Sequence, residues 1–247
     1  MKILKLFIAI FLTATLAFVA GGCSWDFNNP YADEWNVQIV GDSVFDLSGD
    51  IHDVLADLSG KSYKDRSVSG AKIAAIADQL YYAERRSSLN TVIADGGAND
   101  ILQGSMDCDS DPLTQGCLDV LDYTNDSMWN MIVDMYYGPS DDHVWMGYYH
   151  VTGDDAEKNE AIDYTYDSLY PDLFDFTPYG GTTFDGSTAY GSYYGSDLGA
   201  FSIAMADPRD YIYPGDLKSD GIHPTYNGSY KLANMIWGVM TQKNYYR

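Results

Sequence analysis

The chain has 247 residues, of which 14 are Lys or Arg and 36 are Asp or Glu, so its formal net charge is −22. A hydrophobic content of 46% is too high for a disordered chain, and three Cys are too few for a disulfide-rich miniprotein. The negative charge disfavours nucleic acid as a partner, because binding to a phosphate backbone depends on Lys and Arg. The composition therefore indicates one acidic globular domain that is long enough to form a hydrophobic core.

Residues 1–22 are predicted to be an export signal rather than part of that domain. Two lysines precede an uncharged apolar run, Leu6 to Val19, which is short for a transmembrane helix. The following Ala20-Gly21-Gly22-Cys23 resembles the lipobox of bacterial lipoproteins, in which the Cys is lipidated and becomes the new N-terminus. The resemblance implies a lipid anchor at Cys23, and Ser24 after it favours the outer membrane of a two-membrane bacterium. The alternative is an ordinary secretory signal, which would give a periplasmic or secreted protein.

Residues 23–36 are polar and rich in turn formers, so they are predicted to be a lipidated tether before a domain at 37–247. Removal of the signal leaves a net charge of about −24. The two remaining cysteines, Cys108 and Cys117, lie in a polar loop and are predicted to form a disulfide in an exported protein. Two free thiols are the alternative. The acids of this loop do not follow the EF-hand pattern, and no metal site is predicted.

Apolar runs alternate with helical patterns along the predicted domain. The predicted strands are 37–40, 91–94, 144–151 and 201–206, and the predicted helices are 46–58, 71–86, 117–137 and 226–242. This alternation predicts a parallel sheet that is covered by helices on both faces. Functional loops in such sheets gather at the carboxyl ends of the strands.

Residues 152–200 depart from this rhythm, because they are rich in Gly, Tyr, Asp, Ser and Thr and show little periodicity. They are predicted to be an elaborated region near the functional edge of the sheet or, alternatively, a variable surface excursion. Tyrosine pairs here and before it, such as Tyr148-Tyr149, either offer platforms for a sugar or an acyl chain or pack the excursion.

Three short segments carry candidate chemistry. Ser43 directly follows the first strand at a strand-to-helix turn. Asn99 follows the next clear strand, where its amide can point at an oxyanion. Asp220 lies three residues before His223, so its carboxylate can orient an imidazole whose other nitrogen faces the serine.

Together, Gly41-Asp42-Ser43, Gly70, Gly97-x-Asn99-Asp100 and Asp220-x-x-His223 resemble the sequence blocks of SGNH hydrolases of the GDSL esterase/lipase family. The resemblance spans about residues 37–242 and implies a flavodoxin-like, three-layer α/β/α sandwich with a central parallel sheet. It implies that Ser43 is the nucleophile, His223 the general base and Asp220 its orienting carboxylate. The oxyanion hole would then consist of the Ser43 and Gly70 backbone N–H groups and the Asn99 side chain.

The implied function is hydrolysis of a carboxylic ester, either an acyl ester, a lipid or an acylated glycan, through an acyl-enzyme. No nucleotide motif or metal spacing occurs, so no cofactor is predicted, and polar or capping roles are expected for His52, His143 and His150. His150 is the one of these three that could line the pocket. The competing hypothesis is a non-catalytic surface lipoprotein that binds glycan or protein through its Tyr-rich region. The oligomeric state stays open.

Overall fold

The computed structural model describes residues 36–48, 50–61, 63–104, 106, 108–170, 174–175, 192–196 and 202–242. The predicted signal, Cys23 and nearly all of the predicted tether lie outside these residues, so the structure does not bear on them. Within the described ranges, none of the helices has the length and apolar character needed to span a bilayer.

Strands and helices alternate along most of the described chain. The strands are β1 (Val37–Val40), β2 (Lys64–Asp65), β3 (Thr91–Ala94), β4 (Asp142–Met146), β5 (Phe174–Asp175), β6 (Ser192–Ser196) and β7 (Ser202–Asp207). The α-helices are α1 (Ser43–Asp46), α2 (Asp50–Ser59), α3 (Ile73–Glu84), α4 (Ala98–Leu102), α5 (Gln115–Tyr137), α6 (Asn159–Ser168) and α7 (Tyr226–Gln242). Two 3₁₀ helices cover Gly153–Lys158 and Pro214–Asp216.

The described strands form one sheet in the order β2-β1-β3-β4-β7-β6-β5. The first five strands in this order are parallel, whereas β6 and β5 join the β7 edge in antiparallel pairing. Because β1, β3 and β4 are in register, their carboxyl ends reach the same edge of the sheet, where Val40 pairs with Ala94 and Ala94 with Trp145. The parallel sheet that the sequence predicts is confirmed, with an antiparallel extension that it did not predict.

Side-chain alternation along the central strands creates two hydrophobic layers. One face of the sheet, with Ile39, Ile93 and Val144, packs against the buried sides of α1, α2 and α7. The opposite face, which includes Trp145 and Met205, packs against α3, α5 and α6. Successive residues of a strand point to opposite faces, so runs that are apolar throughout supply both layers. The result is the predicted three-layer α/β/α arrangement.

Two of the predicted elements need correction. The predicted strand 144–151 is Asp142–Met146, so it starts earlier, includes His143 and ends before Gly147. The chain leaves the sheet at Gly147, where a Cβ would lie 2.1 Å from the Tyr166 hydroxyl. The predicted helix 46–58 is two helices, α1 and α2, with Leu47 forming the C-terminal cap of α1.

The first part of residues 152–200 is helical, although its sequence shows little periodicity. Residues 153–170 contain a 3₁₀ helix and α6, whose buried face includes Ala161 and Tyr166. The helical pattern was missed because Tyr supplies much of the apolar face, and Tyr also occurs in exposed segments. Most of residues 171–200 lie outside the described residues, apart from the backbone of β5 and β6.

Candidate active site

Ser43, His223 and Asp220 are linked by hydrogen bonds at the carboxyl edge of the sheet. His223 Nε2 lies 3.0 Å from Ser43 Oγ, and His223 Nδ1 lies 2.9 Å from Asp220 Oδ2. The imidazole therefore contacts a hydroxyl through one nitrogen and a carboxylate through the other. This is the order of contacts that activates a serine hydroxyl for nucleophilic attack.

The loop before α7 holds Asp220 and His223 in this arrangement. Asp220 Oδ1 accepts hydrogen bonds from the backbone N–H groups of Ile222 and His223, both at 2.9 Å. Gly221 has φ +73°, and a Cβ on it would lie 2.1 Å from the Thr152 carbonyl oxygen, so a larger residue does not fit. Burial alone would raise the pKa of Asp220, but these two N–H groups and the His223 ring lower it to about 2. Asp220 is therefore ionised throughout the neutral range.

The turn that carries Ser43 is fixed by two buried carboxyl groups. Asp42 caps α1 by accepting from the Val44 N–H at 2.9 Å, and its own N–H donates to Asp95 Oδ1 at 2.9 Å. A Cβ on Gly41 would lie 2.0 Å from Asp95 Oδ1, so the close approach of Asp95 requires glycine there. Ser43 is thereby presented directly after β1, as its sequence position predicts.

Asp42 and Asp95 are neighbouring buried carboxyl groups, and their burial affects the pKa of each. Burial raises the pKa of Asp42, whereas hydrogen bonds from Tyr148 and Val44 lower it. Burial, with the neighbouring Asp42 carboxyl, raises the pKa of Asp95 well above its ordinary value. Asp95 therefore keeps a proton to higher pH than an ordinary aspartate, whereas more hydrogen-bond donors reach the Asp42 carboxyl group.

The predicted oxyanion groups differ in availability. The Ser43 and Gly70 N–H groups donate to no other described residue, and Gly70 has φ +77°. In contrast, Asn99 Nδ2 donates to Asp42 Oδ2 at 3.2 Å and to the Ala71 carbonyl oxygen at 3.1 Å. Asn99 is therefore beside the serine turn but already engaged, so it must exchange a hydrogen bond before it can donate to substrate.

Ser43 and Asn99 both line a pocket of about 780 Å³, including its opening to solvent, whereas Gly70 does not belong to its lining. The walls come from α4, α5, α6 and the segment after β4, and they are mainly apolar. Members include Ile101, Leu102, Met128, Ile162 and Tyr166. Lys158 also lines the pocket, but its ammonium group lies 2.7 Å from Asp109 and 2.8 Å from Asp155. The arrangement can hold a neutral apolar group beside the serine hydroxyl.

The predicted disulfide between Cys108 and Cys117 is confirmed. Both cysteines are buried and pack with Leu121 of α5 and Ala161 of α6. Since Ala161 also lines the pocket, the disulfide supports one of the pocket walls from outside.

The other histidines have local partners away from the serine. His150 Nε2 lies 2.9 Å from Asp163, and His150 does not contribute to the pocket lining. His143 is buried with Nε2 2.7 Å from the Ser140 hydroxyl, and His52 Nε2 lies 3.4 Å from Asp65. In the described part of the chain, no group of three or more His, Cys, Asp or Glu side chains is arranged to hold a metal ion.

Two features of the site could not be read from the motifs. Tyr148, just beyond β4, donates its hydroxyl to Asp42 Oδ2 at 2.6 Å. Asp100, beside Asn99, caps α3 by accepting from the Ile73 N–H at 2.9 Å. In the sequence, these two contacts are signalled only by a tyrosine pair at a strand end and by a second polar residue after Asn99. Neither pattern is specific for such a contact.

The sequence matches no family model and no curated protein. It is similar in structure to a lipase from a goat rumen metagenome, with 12% identity, TM-score 0.59 and coverage of 82% of this chain and 96% of the other. It is also similar to a GDSL-like lipase from Bacteroides thetaiotaomicron, with 12% identity, TM-score 0.51 and coverage of 87% and 91%. The chain therefore has the α/β/α fold of these lipases, which is the SGNH hydrolase fold that its motifs predict.

Proposed function

We propose that this protein is a carboxylic ester hydrolase of the GDSL esterase/lipase family, with Ser43 as its nucleophile. The observation that carries the proposal is the run of contacts from Ser43 Oγ through the His223 ring to Asp220. The lipase names of the structural neighbours point to the same reaction class. A binding protein of this fold would have no need of that run of contacts.

In the proposed reaction, Ser43 Oγ attacks the ester carbonyl carbon while His223 Nε2 takes the hydroxyl proton. The tetrahedral intermediate collapses to an acyl-enzyme, and His223 returns the proton to the departing alcohol. Water then attacks the acyl carbon with His223 again as the base, which releases the carboxylic acid and regenerates Ser43. Asp220 holds the Nδ1–H tautomer and stabilises the imidazolium throughout.

Charge on the carbonyl oxygen requires donors that are already in position. The N–H groups of Ser43 and Gly70, which donate to no other described residue, are suited to this role, and Asn99 supplies a third donor when it exchanges one of its present hydrogen bonds. Loss of a single oxyanion donor costs about 10²–10³ in kcat in serine hydrolases.

The pocket favours an apolar acyl group over a sugar. The exposed surface of its walls is mainly apolar and offers sugar hydroxyls few hydrogen-bond partners, and unpaired polar groups are costly to bury. The acidic surface, at −22 for the whole chain, also disfavours strongly anionic substrates. The proposed substrates are therefore neutral esters with an aliphatic acyl chain longer than acetyl.

The test is a substrate series with one leaving group, from p-nitrophenyl acetate to p-nitrophenyl decanoate, assayed with the full-length chain in mild detergent. We expect kcat/KM to rise with chain length until the pocket is filled. Acetylated xylan, assayed alongside this series, tests the alternative that the substrate is an acylated glycan. Hydrolysis of acetate esters alone would contradict the acyl-pocket assignment, and hydrolysis of no ester would contradict the proposed function.

The proposal includes export and a lipid anchor at Cys23, which place the enzyme at the outer membrane. The anionic surface would be repelled by anionic headgroups, so the acyl chains and not surface charge would hold the protein there. Cys23→Ser should release the protein from the membrane fraction. Unchanged membrane fractionation of that variant would contradict the anchor without affecting the catalytic assignment.

A further inference from the structure

We infer that Tyr148 is a positioning residue that makes the Asn99 amide available to the reacting carbonyl oxygen, acting through the carboxylate of Asp42. The inference rests on the proposed function, because it concerns the oxyanion donors of that reaction. It adds a residue outside the four motif segments.

The three side chains meet at one oxygen atom. The Tyr148 hydroxyl donates to Asp42 Oδ2 at 2.6 Å, and Asn99 Nδ2 donates to the same oxygen at 3.2 Å. The residues come from the carboxyl ends of β4, β1 and β3, so the parallel register of the sheet brings them together. Both Asp42 and Asn99 are buried, so the loss of any hydrogen bond in this group costs more free energy than it would at the surface.

Two further hydrogen bonds hold Asp42 in place. Its Oδ1 accepts from Val44, and its backbone N–H donates to Asp95. Asp42 is thus a fixed acceptor with two donors, Tyr148 and Asn99, on its second oxygen. When one of these donors turns away, the other keeps Asp42 Oδ2 hydrogen-bonded.

Asn99 needs such a second donor on Asp42 if it is to act on substrate. Both of its N–H groups are engaged, one by Asp42 and one by the Ala71 carbonyl, and its own Oδ1 accepts from Gln103 at 2.8 Å. Turning one N–H toward an oxyanion removes a hydrogen bond from Asp42 or from Ala71. With Tyr148 in place, the bond given up at Asp42 leaves the carboxylate still paired. Without the hydroxyl, the same movement leaves Asp42 Oδ2 with no hydrogen-bond donor among the described residues, which is unfavourable for a buried carboxyl oxygen.

Contacts other than the hydroxyl also hold Tyr148, which packs against the hydrophobic core. The backbone carbonyl of Tyr148 accepts from the Tyr166 hydroxyl at 3.0 Å, and the ring is one of the pocket walls. A phenylalanine at 148 therefore fits the same space and removes only the hydrogen bond to Asp42.

The experiment compares Tyr148→Phe with the wild-type chain on p-nitrophenyl butyrate. We expect kcat to fall roughly 10- to 100-fold, which is less than the loss of about 10²–10³-fold for complete removal of an oxyanion donor, while KM changes less than about threefold. Tyr164→Phe is the matched control, because Tyr164 also donates to an aspartate, Asp122, at 2.7 Å but lies outside the pocket lining. It should retain wild-type kcat.

A double-mutant cycle separates positioning from a general structural effect. In an Asn99→Ala background, Tyr148→Phe should lower kcat by a smaller factor than in the wild type, because its route through the Asn99 amide has been removed. Equal losses in both backgrounds, or wild-type kcat in Tyr148→Phe, would overturn the inference while leaving the proposed function intact. A wild-type chain that hydrolyses no ester and resists a fluorophosphonate would instead overturn both.

Discussion

His223 Nε2 lies 3.0 Å from Ser43 Oγ, although 180 residues separate them in the chain. The serine is fixed by the turn after β1 and the histidine by the loop before α7, so the two elements are positioned independently. The sheet brings them together, since α7 packs on the face of the sheet that also carries α1. The contact between Ser43 and His223 therefore depends on the core as a whole, whereas the contact between His223 and Asp220 is local.

Asp220→Asn should lower kcat by about 10²–10⁴-fold, because the amide favours the wrong imidazole tautomer and cannot balance the imidazolium charge. Asp220 has a pKa of about 2 and is ionised above that pH, so the loss should be similar from pH 5 to pH 9. The exposed Asp210→Asn controls for the loss of one negative charge. A kcat within twofold of wild type in Asp220→Asn would contradict this role for Asp220.

Ile162→Trp should shorten the preferred acyl chain, because Ile162 lines the pocket and is only partly buried, so a larger ring extends into the pocket. We expect kcat/KM for p-nitrophenyl decanoate to fall at least about tenfold while that for the acetate changes little. Asp167→Trp adds the same ring to an exposed position of α6 and should leave the chain-length profile unchanged. Equal losses on both esters would argue that the pocket does not hold the acyl chain.

The fold was predictable from sequence where local patterns match the structure. The runs 37–40 and 91–94 are apolar and rich in β-branched residues, and they are β1 and β3. By contrast, β2 has only two residues, Lys64 and Asp65, and carries no pattern that a sequence reading can detect. The end of β4 at Met146 depends on the close approach of Tyr166 to Gly147, which is a tertiary contact.

The same distinction applies to the candidate site. Ser43, Asp220 and His223 were found because each follows or precedes a predicted element in a short motif. The positions of Asp95 and Tyr148 around Asp42 could not be predicted, because their contacts arise only when three strand ends converge. The catalytic roles themselves remain predictions.

Glu84 should make stability depend on pH. Its burial, with the nearby charge of Asp134, raises its pKa from 4.5 to about 7, and its Oε1 atom has no hydrogen-bond partner among the described residues. An acid with a raised pKa stabilises the fold fully below pH 4.5, and that contribution disappears as the pH rises through 7.

The free energy of unfolding of Glu84→Gln should therefore rise relative to that of the wild type as the pH goes from 5 to 8. The change in the difference should be about 1–2 kcal/mol after allowance for solvent screening. Urea unfolding at both pH values measures this difference. The exposed Glu157→Gln is the control, and its difference from wild type should not change with pH. A constant difference for Glu84→Gln would show that Glu84 titrates normally.

Loss of the Cys108–Cys117 disulfide should lower the free energy of unfolding by about 2–3 kcal/mol, because the bond closes a short loop in the unfolded chain. Cys108→Ser/Cys117→Ser should match the Tm of the reduced wild type and should not respond to a reductant. Because the disulfide packs on the pocket wall at Ala161, activity on long acyl esters should fall more than activity on acetate. A wild-type Tm that is unaffected by full reduction would contradict this contribution.

The central claim is that Ser43 is the nucleophile, and active-site labelling tests it most directly. The full-length wild type and Ser43→Ala are incubated with a fluorophosphonate, digested and analysed by mass spectrometry, with p-nitrophenyl butyrate hydrolysis measured alongside. We predict a single adduct on Ser43 in the wild type, none in a folded Ser43→Ala protein, and a loss of hydrolysis of about 10⁴-fold or more. Unchanged hydrolysis or labelling in Ser43→Ala would contradict the assignment.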